Sequence, residues 1–279
     1  MERFDYLVVG ASHAGLEAVR AIRAHDASGS IAMLNREPVL PYSPTVLPYV
    51  VSGRSKADRI ALRDQNWFAN LHTTYLQQAS AAAVDTAKAV VRCADGKEIG
   101  YGKLLLATGA KPIIPPVQGL DGVPYHVLRT LDDALALRGA IGAAKHAVVL
   151  GAGLVGMHAA ENLSKSKCQV TVVEMREQVL PGYFDAQAAA MIAGAFARNG
   201  VEVLTQHRVM SVARQGQGCH SVRYLRSHAV IAAQCVAVAD DEEAHRGNMS
   251  FWCHRSAQRH DSRTKVKPQP NCAGAGQTR

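Results

Sequence analysis

The chain has 279 residues, 48% of them apolar, and 31 Lys and Arg against 23 Asp and Glu, for a net charge of +8. That length holds two domains of ordinary size, and no run of about 20 apolar residues offers a transmembrane helix. Cysteines are few, none forms a Cys-x2-Cys or Cys-x4-Cys pair, and Cys93 and Cys168 stand isolated. This excludes a disulfide scaffold and predicts a reducing, cytoplasmic location.

The chain enters an apolar strand at Phe4 to Val9, with no signal peptide before it. Gly10-Ala11-Ser12-His13-Ala14-Gly15 follows and opens a helix. In such a loop the first glycine makes the tight turn, the second lets backbone approach a pyrophosphate, and the third lets helix and strand pack closely. Ser12 stands where the second glycine is usual. The next strand, Ile31 to Leu34, ends at Asn35 where an acid is expected. Asn35 can bond a ribose hydroxyl without charge; Glu37, two residues on, is the other candidate, set against a solvated loop carboxylate. Lys103 to Leu106 reads as a buried strand running into the small-residue turn Ala107-Thr108-Gly109, which permits close approach to a cofactor or is simply a strand-to-loop transition.

Lys111-Pro112 and Pro115-Pro116 mark a stiff crossing. Thr130 is an N-cap with Asp132 and Asp133 in the first turn of a helix ending near Gly142. A second phosphate loop, Gly151-Ala152-Gly153-Leu154-Val155-Gly156, then lies between the strands Ala147 to Leu150 and Gln169 to Val173. Its helix N-terminus presents free N–H groups and a positive dipole end to a phosphate. Glu174 ends the following strand, where a carboxylate bonds a ribose 2′-OH and repels a 2′-phosphate. With both strands, the helix and the acid in place, this site reads as NAD rather than NADP, against a glycine-rich turn in an ordinary α/β domain. Two dinucleotide loops about 140 residues apart suit electron passage between a nicotinamide and a flavin.

Together Gly10 to Gly15, Ala107-Thr108-Gly109, Gly151 to Gly156 and Val173 to Pro181 make residues 4 to 213 resemble the pyridine nucleotide–disulfide oxidoreductase superfamily. The resemblance implies an α/β fold of two Rossmann-like domains: an FAD domain (1–112) with an inserted NAD domain (113–213). FAD would sit on Gly10, Ser12, Gly15, Asn35, Glu37, Thr45 and Ala107 to Gly109, and NAD on Gly151, Gly153, Gly156, His158 and Glu174. Relatives with thiol chemistry carry a redox cysteine before Leu47-Pro48-Tyr49; here Thr45 holds that place, and a hydroxyl cannot cycle through sulfenic acid or a disulfide. His158 stands where many relatives carry Glu near the nicotinamide. It either alters the field there or is a polar residue on a partly covered helix. No acid–base residue is expected to be catalytic, because the cofactors carry the chemistry.

Within the superfamily, Thr45 to Gly53 and Gly156 to Leu163 resemble the NAD-reacting flavoprotein subunits of anaerobic 2-oxoacid:acceptor oxidoreductases of aromatic metabolism. That implies iron–sulfur and thiamine-diphosphate partner subunits. The alternatives are a stand-alone ferredoxin or rubredoxin reductase, an NADH oxidase without a redox cysteine, or, in another class, a non-catalytic nucleotide-binding subunit.

After about Arg214 the pattern changes. The strand pair, second Ala-Thr-Gly-like turn, Gly-Asp motif and interface domain of the superfamily are not recognisable in residues 214–279. This stretch holds ten Lys and Arg against five Asp and Glu, and Cys219, Cys235, Cys253 and Cys272. Its aromatics are few and no nucleic-acid module is present. The cysteine spacings do not suit zinc, so no metal is expected. A shifted reading frame or a truncated natural ending fits best. Only Ile231 to Ala239 is apolar enough for a strand, and Asp240 to Arg279 is expected to be poorly ordered.

Overall fold

The computed structural model describes residues 1–215, 220–225, 230–233, 235–238 and 251–254. The first unit opens with β1 (Glu2–Val9), α1 (His13–His25) and β2 (Ile31–Leu34), followed by two short helices, α2 (Leu47–Val51) and α3 (Gln65–Asn70). Four strands come next: β3 (Thr73–Leu76), β4 (Ala81–Asp85), β5 (Val90–Cys93) and β6 (Glu98–Leu106). They form a sheet in the order β3-β2-β1-β6-β5-β4. The β3-β2-β1-β6 part is parallel, and β6-β5-β4 is an antiparallel meander. The strand order reverses at β1, the place where an open α/β sheet leaves a crevice at the strands' carboxyl ends.

The second unit runs α4 (Leu131–Ile141), β7 (His146–Leu150), α5 (Leu154–Ser164), β8 (Gln169–Val173), α6 (Ala186–Arg198) and β9 (Val201–Leu204). The helix expected from Thr130 starts there, with a capping box. The Thr130 hydroxyl accepts the Asp133 N–H at 3.2 Å, and the Asp133 carboxylate accepts the Thr130 N–H at 2.8 Å. Strands β7, β8 and β9 are parallel, and β7 and β8 are almost wholly buried, as strands covered on both faces must be.

Beyond these come β10 (Arg208–Arg214), β11 (His220–Leu225), β12 (Val230–Ala233), β13 (Cys235–Val238) and β14 (Phe251–His254). The apolar stretch from Ile231 does form strand, as β12 and β13. Past Arg214, two strands go beyond the sequence reading. β11 pairs antiparallel between β10 and β12, and β14 lies antiparallel along the end of β6. β13 adds to β7 in parallel. The strand arrangement thus continues past Arg214. The reason is alternation: His220 and Val222 point inward on β11 while Arg223 stays exposed, a period-2 pattern hidden by basic composition. Of the stretch expected to be poorly ordered, residues 240–250 and 255–279 lie outside the described residues, as do Gln234 and Ala239 of the expected strand, Cys219 and Cys272.

The cores explain how the two units meet. Leu16, Val19 and Ile22 of α1 and Phe68 of α3 cover one face of the first sheet, and Leu7, Val9, Ile99 and Tyr101 fill the other. Helix α2, although it belongs to the first unit in sequence, buries Leu47, Val50 and Val51 in the second unit's core beside Leu137, Met157 and Leu163. Burial of three aliphatic side chains contributes on the order of 5 kcal/mol toward holding the units together.

Candidate functional site

The first glycine loop is closed by sterics. Gly10 has φ +113°, and a Cβ there would lie 2.1 Å from the Ala107 carbonyl oxygen. A Cβ on Gly15 would lie 2.0 Å from the Gly10 carbonyl, so α1 rests directly on the turn. Ser12 is the N-cap of α1, yet its hydroxyl donates to the Tyr42 carbonyl at 3.3 Å instead of capping. No acid occupies the first turn. The helix N-terminus is left without a side-chain cap, as an anion site requires.

A cleft of about 390 Å³ opens over this loop. Gly10 and Ser12 form its floor, Asn35, Arg36 and Glu37 one wall, and Ala107, Thr108 and Gly109 another. The sequence-expected residues from both strand ends therefore converge on one cavity. Three cations, Arg36, Lys111 and Arg129, also line it, against the one carboxylate of Glu37. Arg129 was not anticipated. It comes from the connection into α4, where Asp133 accepts its backbone N–H at 3.0 Å. Its Nε donates to the Ala110 carbonyl at 2.9 Å, and its guanidinium lies where a Cβ on Gly109 would be, 2.4 Å away. The signal available in the sequence was the position of Arg129 directly before a strong N-cap. A positive, glycine-walled cleft at a helix N-terminus fits the diphosphate of a dinucleotide such as FAD.

Asn35 and Glu37 have different freedom. The Asn35 amide donates to the Val39 carbonyl at 2.9 Å and the Tyr75 hydroxyl at 2.7 Å, and its oxygen accepts the Glu37 N–H. Asn35 thus braces the loop behind the wall. Glu37 uses Oε2 to accept from the Tyr42 hydroxyl at 2.7 Å and from the Leu131 N–H at 3.4 Å. Leu131 N–H also donates to Tyr42 Oη at 2.8 Å. Burial, and then the Glu37 carboxylate, push the Tyr42 phenol well above its usual range, so it remains a donor at any working pH. Burial raises the Tyr75 phenol to about 12.

Thr45 is not part of the cleft lining. It is exposed, and its hydroxyl bonds Ser43 Oγ at 2.7 Å, which in turn bonds His13 Nε2 at 2.9 Å.

In the second loop Gly151 has φ +100°, its N–H donates to the Val173 carbonyl, and Gly153 is the uncapped N-cap of α5. Gly153 itself has φ −73°, so its value is the missing side chain rather than a special backbone angle. Gly156 is buried in α5. Glu174 is buried and bound to the loop: Oε2 accepts the Ala152 N–H at 2.7 Å and Oε1 the Arg176 N–H at 2.8 Å. Each carboxylate oxygen keeps a second lone pair for a ribose hydroxyl. His158 packs edge-on against Tyr49 of α2, ring centroids 4.9 Å apart. Burial lowers its pKa, with Glu161 opposing. One turn later fully buried Asn162 accepts the Ser52 hydroxyl at 2.9 Å. His158 and Asn162 therefore form the seam between α5 and α2.

Among the described residues no group of three or more His, Cys, Asp or Glu side chains is placed to hold a metal, and no helix is long and apolar enough to cross a membrane.

With this geometry the comparisons agree. Residues 4–241 match the pyridine nucleotide-disulphide oxidoreductase family. The chain is 57% identical over 210 residues to the NADH-dependent phenylglyoxylate dehydrogenase subunit epsilon of Aromatoleum evansii, covering 75% of this chain and 50% of that protein. It is 32% identical to an NADH oxidase of Methanocaldococcus jannaschii, over 71% of this chain and 46% of that one. Among solved structures it is similar to the ferredoxin reductase for the CYP199A2 system from Rhodopseudomonas palustris, with TM-score 0.77 and 26% identity, covering 87% of this chain and 61% of that one. The chain spans about half the length of the curated relatives it matches. The two-loop α/β architecture and these likenesses establish FAD and NAD(H) as its cofactors, and the chain belongs to the pyridine nucleotide-disulphide oxidoreductase family.

Proposed function

We propose that this chain is an FAD-dependent NAD(H):acceptor oxidoreductase subunit, with FAD in the Gly10 cleft and NAD(H) on the Gly151 loop. The observation that carries the reading is the convergence of both strand ends, the uncapped α1 N-terminus and three cations on one cleft, while a second uncapped loop packs beside it through α2 and α5. Bound together, the two cofactors supply hydride exchange between nicotinamide and flavin. The chain's own residues bind and orient them. Arg36, Lys111 and Arg129 hold the diphosphate charge, and Glu37 takes a ribose hydroxyl on its free Oε1. The thiol-free position at Thr45 sends electrons to an external acceptor rather than to a protein disulfide. Glu174 fixes the second ribose and disfavours a 2′-phosphate, which supports NAD(H).

We further propose that the acceptor side is an iron–sulfur partner in a cytoplasmic multi-subunit 2-oxoacid oxidoreductase. There a thiamine-diphosphate subunit would oxidise phenylglyoxylate to benzoyl-CoA and this subunit would reduce NAD⁺. The 57% identity to the epsilon subunit supports this. A visible spectrum of the purified chain before and after anaerobic NADH tests the core of the proposal. A flavin band that bleaches is expected; a colourless protein that takes up no added FAD overturns it. Co-purification with iron–sulfur and thiamine-diphosphate subunits supports the complex. A lone protein that turns over NADH with ferredoxin or rubredoxin at full rate makes it a stand-alone reductase instead.

A further inference from the structure

The segment between α2 and α3 is unusually basic. Arg54, Lys56, Arg59 and Arg63 are all exposed, and none of them forms an ion pair among the described residues. A fifth cation joins them from another element. Arg138 of α4 is exposed, and its Nη2 lies 3.4 Å from where a Cβ on Gly53 would be. The carboxylates of the segment are Asp58 and Asp64. Asp64 is already engaged as the N-cap of α3, accepting the Trp67 N–H at 2.9 Å. Two of the cations are held in place by rings: Arg54 lies over Tyr49 at 4.9 Å and Arg63 over Trp67 at 5.7 Å. Five exposed cations against the two carboxylates leave this surface positive, and a positive surface attracts an anionic partner.

Its position says which partner. The Leu62 N–H donates to the Pro41 carbonyl at 2.7 Å, and Tyr42 bridges to Ala61. Pro41 and Tyr42 are themselves walls of the Gly10 cleft. Behind Tyr42, Ala57, Asp58 and Ile60 pack around a mainly apolar cavity of about 240 Å³. The basic segment is thus fastened to the back of the dinucleotide wall, with one aromatic ring between them. A nucleic acid or a bilayer gains nothing from that proximity; an electron carrier does.

We propose that Arg54, Lys56, Arg59, Arg63 and Arg138 form the docking surface for an acidic iron–sulfur protein. The inference deepens the functional reading above and rests on it. Electron balance needs two dockings per nicotinamide: a one-electron iron–sulfur carrier delivers one electron at a time, and reduction of NAD⁺ to NADH takes two electrons and a proton. A charged rim of this kind sets the association rate more than the lifetime of the complex, and salt weakens it.

The test uses the full FAD-loaded chain and an acidic [2Fe–2S] ferredoxin. Lys56→Glu with Arg59→Glu removes two cations that make no side-chain hydrogen bond or ion pair among the described residues, and Lys56→Gln with Arg59→Gln is the milder pair. Surface plasmon resonance is expected to show about tenfold slower association for the Glu pair and a smaller loss for the Gln pair. The salt dependence should flatten in the same order. NADH turnover with ferricyanide, which needs no docking, should be unchanged in both. Ferredoxin association that neither pair alters overturns the surface. So does a cluster whose reversal abolishes binding to duplex DNA or to phosphatidylserine vesicles while ferredoxin association is unaffected. A wild-type chain without ferricyanide turnover sinks the functional reading instead, a different and separable failure.

Discussion

The two glycine loops meet the same requirement by different means. At the second loop the acid is fastened directly: Glu174 accepts the Ala152 N–H inside the loop. At the first, no acid reaches the loop. Glu37 stands on the wall and is held by Tyr42, which is held in turn by the first turn of α4. The first site is therefore completed by a residue stretch, Arg129 to Asp133, that belongs to the second unit in sequence. One site is thus self-contained and the other is shared between units.

Breaking the first loop itself should have the largest effect. Gly10→Ala puts a Cβ 2.1 Å from the Ala107 carbonyl at a φ of +113°. We expect flavin binding to weaken at least about 100-fold, a cost of ~3 kcal/mol from backbone strain alone. Titrating the apoprotein with FAD and following the flavin fluorescence measures this. An Ala variant that binds FAD normally would mean that the loop is not the flavin cradle.

At the self-contained site, Glu174→Gln is expected to weaken NADH binding about tenfold to 100-fold, since one of two charge-assisted backbone bonds is replaced by an amide N–H facing an N–H. Binding of NADPH should suffer less, because a 2′-phosphate no longer meets a carboxylate. Isothermal titration with both nucleotides separates the two effects. Equal losses for both would show Glu174 to be a loop brace and no more.

The shared site is sharpened by Tyr42→Phe, which keeps the buried ring and removes the hydroxyl that serves Glu37 and Leu131 together. The expected loss is about 1–2 kcal/mol of stability, with a several-fold rise in the FAD dissociation constant. In a Glu37→Gln background the same change should add little, because the two residues act as one unit. Additive effects in the double variant, measured by urea unfolding and FAD titration, would show Tyr42 to be an ordinary packing residue.

This contrast also marks what the sequence could reveal. The self-contained site was legible because its parts are local: a strand, a glycine loop, a helix and an acid within about 25 residues. The helix from Thr130 was equally legible, since a capping box is written in four adjacent positions. The floor of the first cleft was readable for the same reason. The role of Arg129 was not, because it depends on the stretch between Ala110 and Arg129 folding back so that the guanidinium meets the Ala110 carbonyl. The bracing by Asn35 was not legible either: its amide donates to Val39 and Tyr75, and Tyr75 comes into reach only when β3 pairs with β2. Thr45 drew attention through the resemblance, yet it faces solvent. β11 was hidden because its inward residues alternate with arginine and serine in a basic stretch.

The smallest expected effect lies at the seam between the units, on His158. Burial lowers its folded pKa below the ordinary histidine value of 6.5, with Glu161 opposing and Lys165 and Arg54 reinforcing. The sign follows from proton linkage. Above 6.5 the imidazole is neutral in both folded and unfolded chains and contributes nothing that depends on pH. As pH falls below 6.5 the unfolded chain takes up a proton that the folded one refuses, so stability declines until pH passes the folded value. His126, also lowered by burial, adds a term of the same sign. His158→Gln keeps a polar side chain of similar size beside Tyr49 and cannot titrate. Its melting temperature should therefore fall less than that of the wild type between pH 7.5 and pH 5.5, while the two proteins differ little at pH 7.5 itself. Parallel acid limbs in the two melting curves would mean that protonated His158 is accommodated at the seam, by Glu161 or by the face of Tyr49, and that the contact between α2 and α5 is looser than the buried Ser52–Asn162 bond implies.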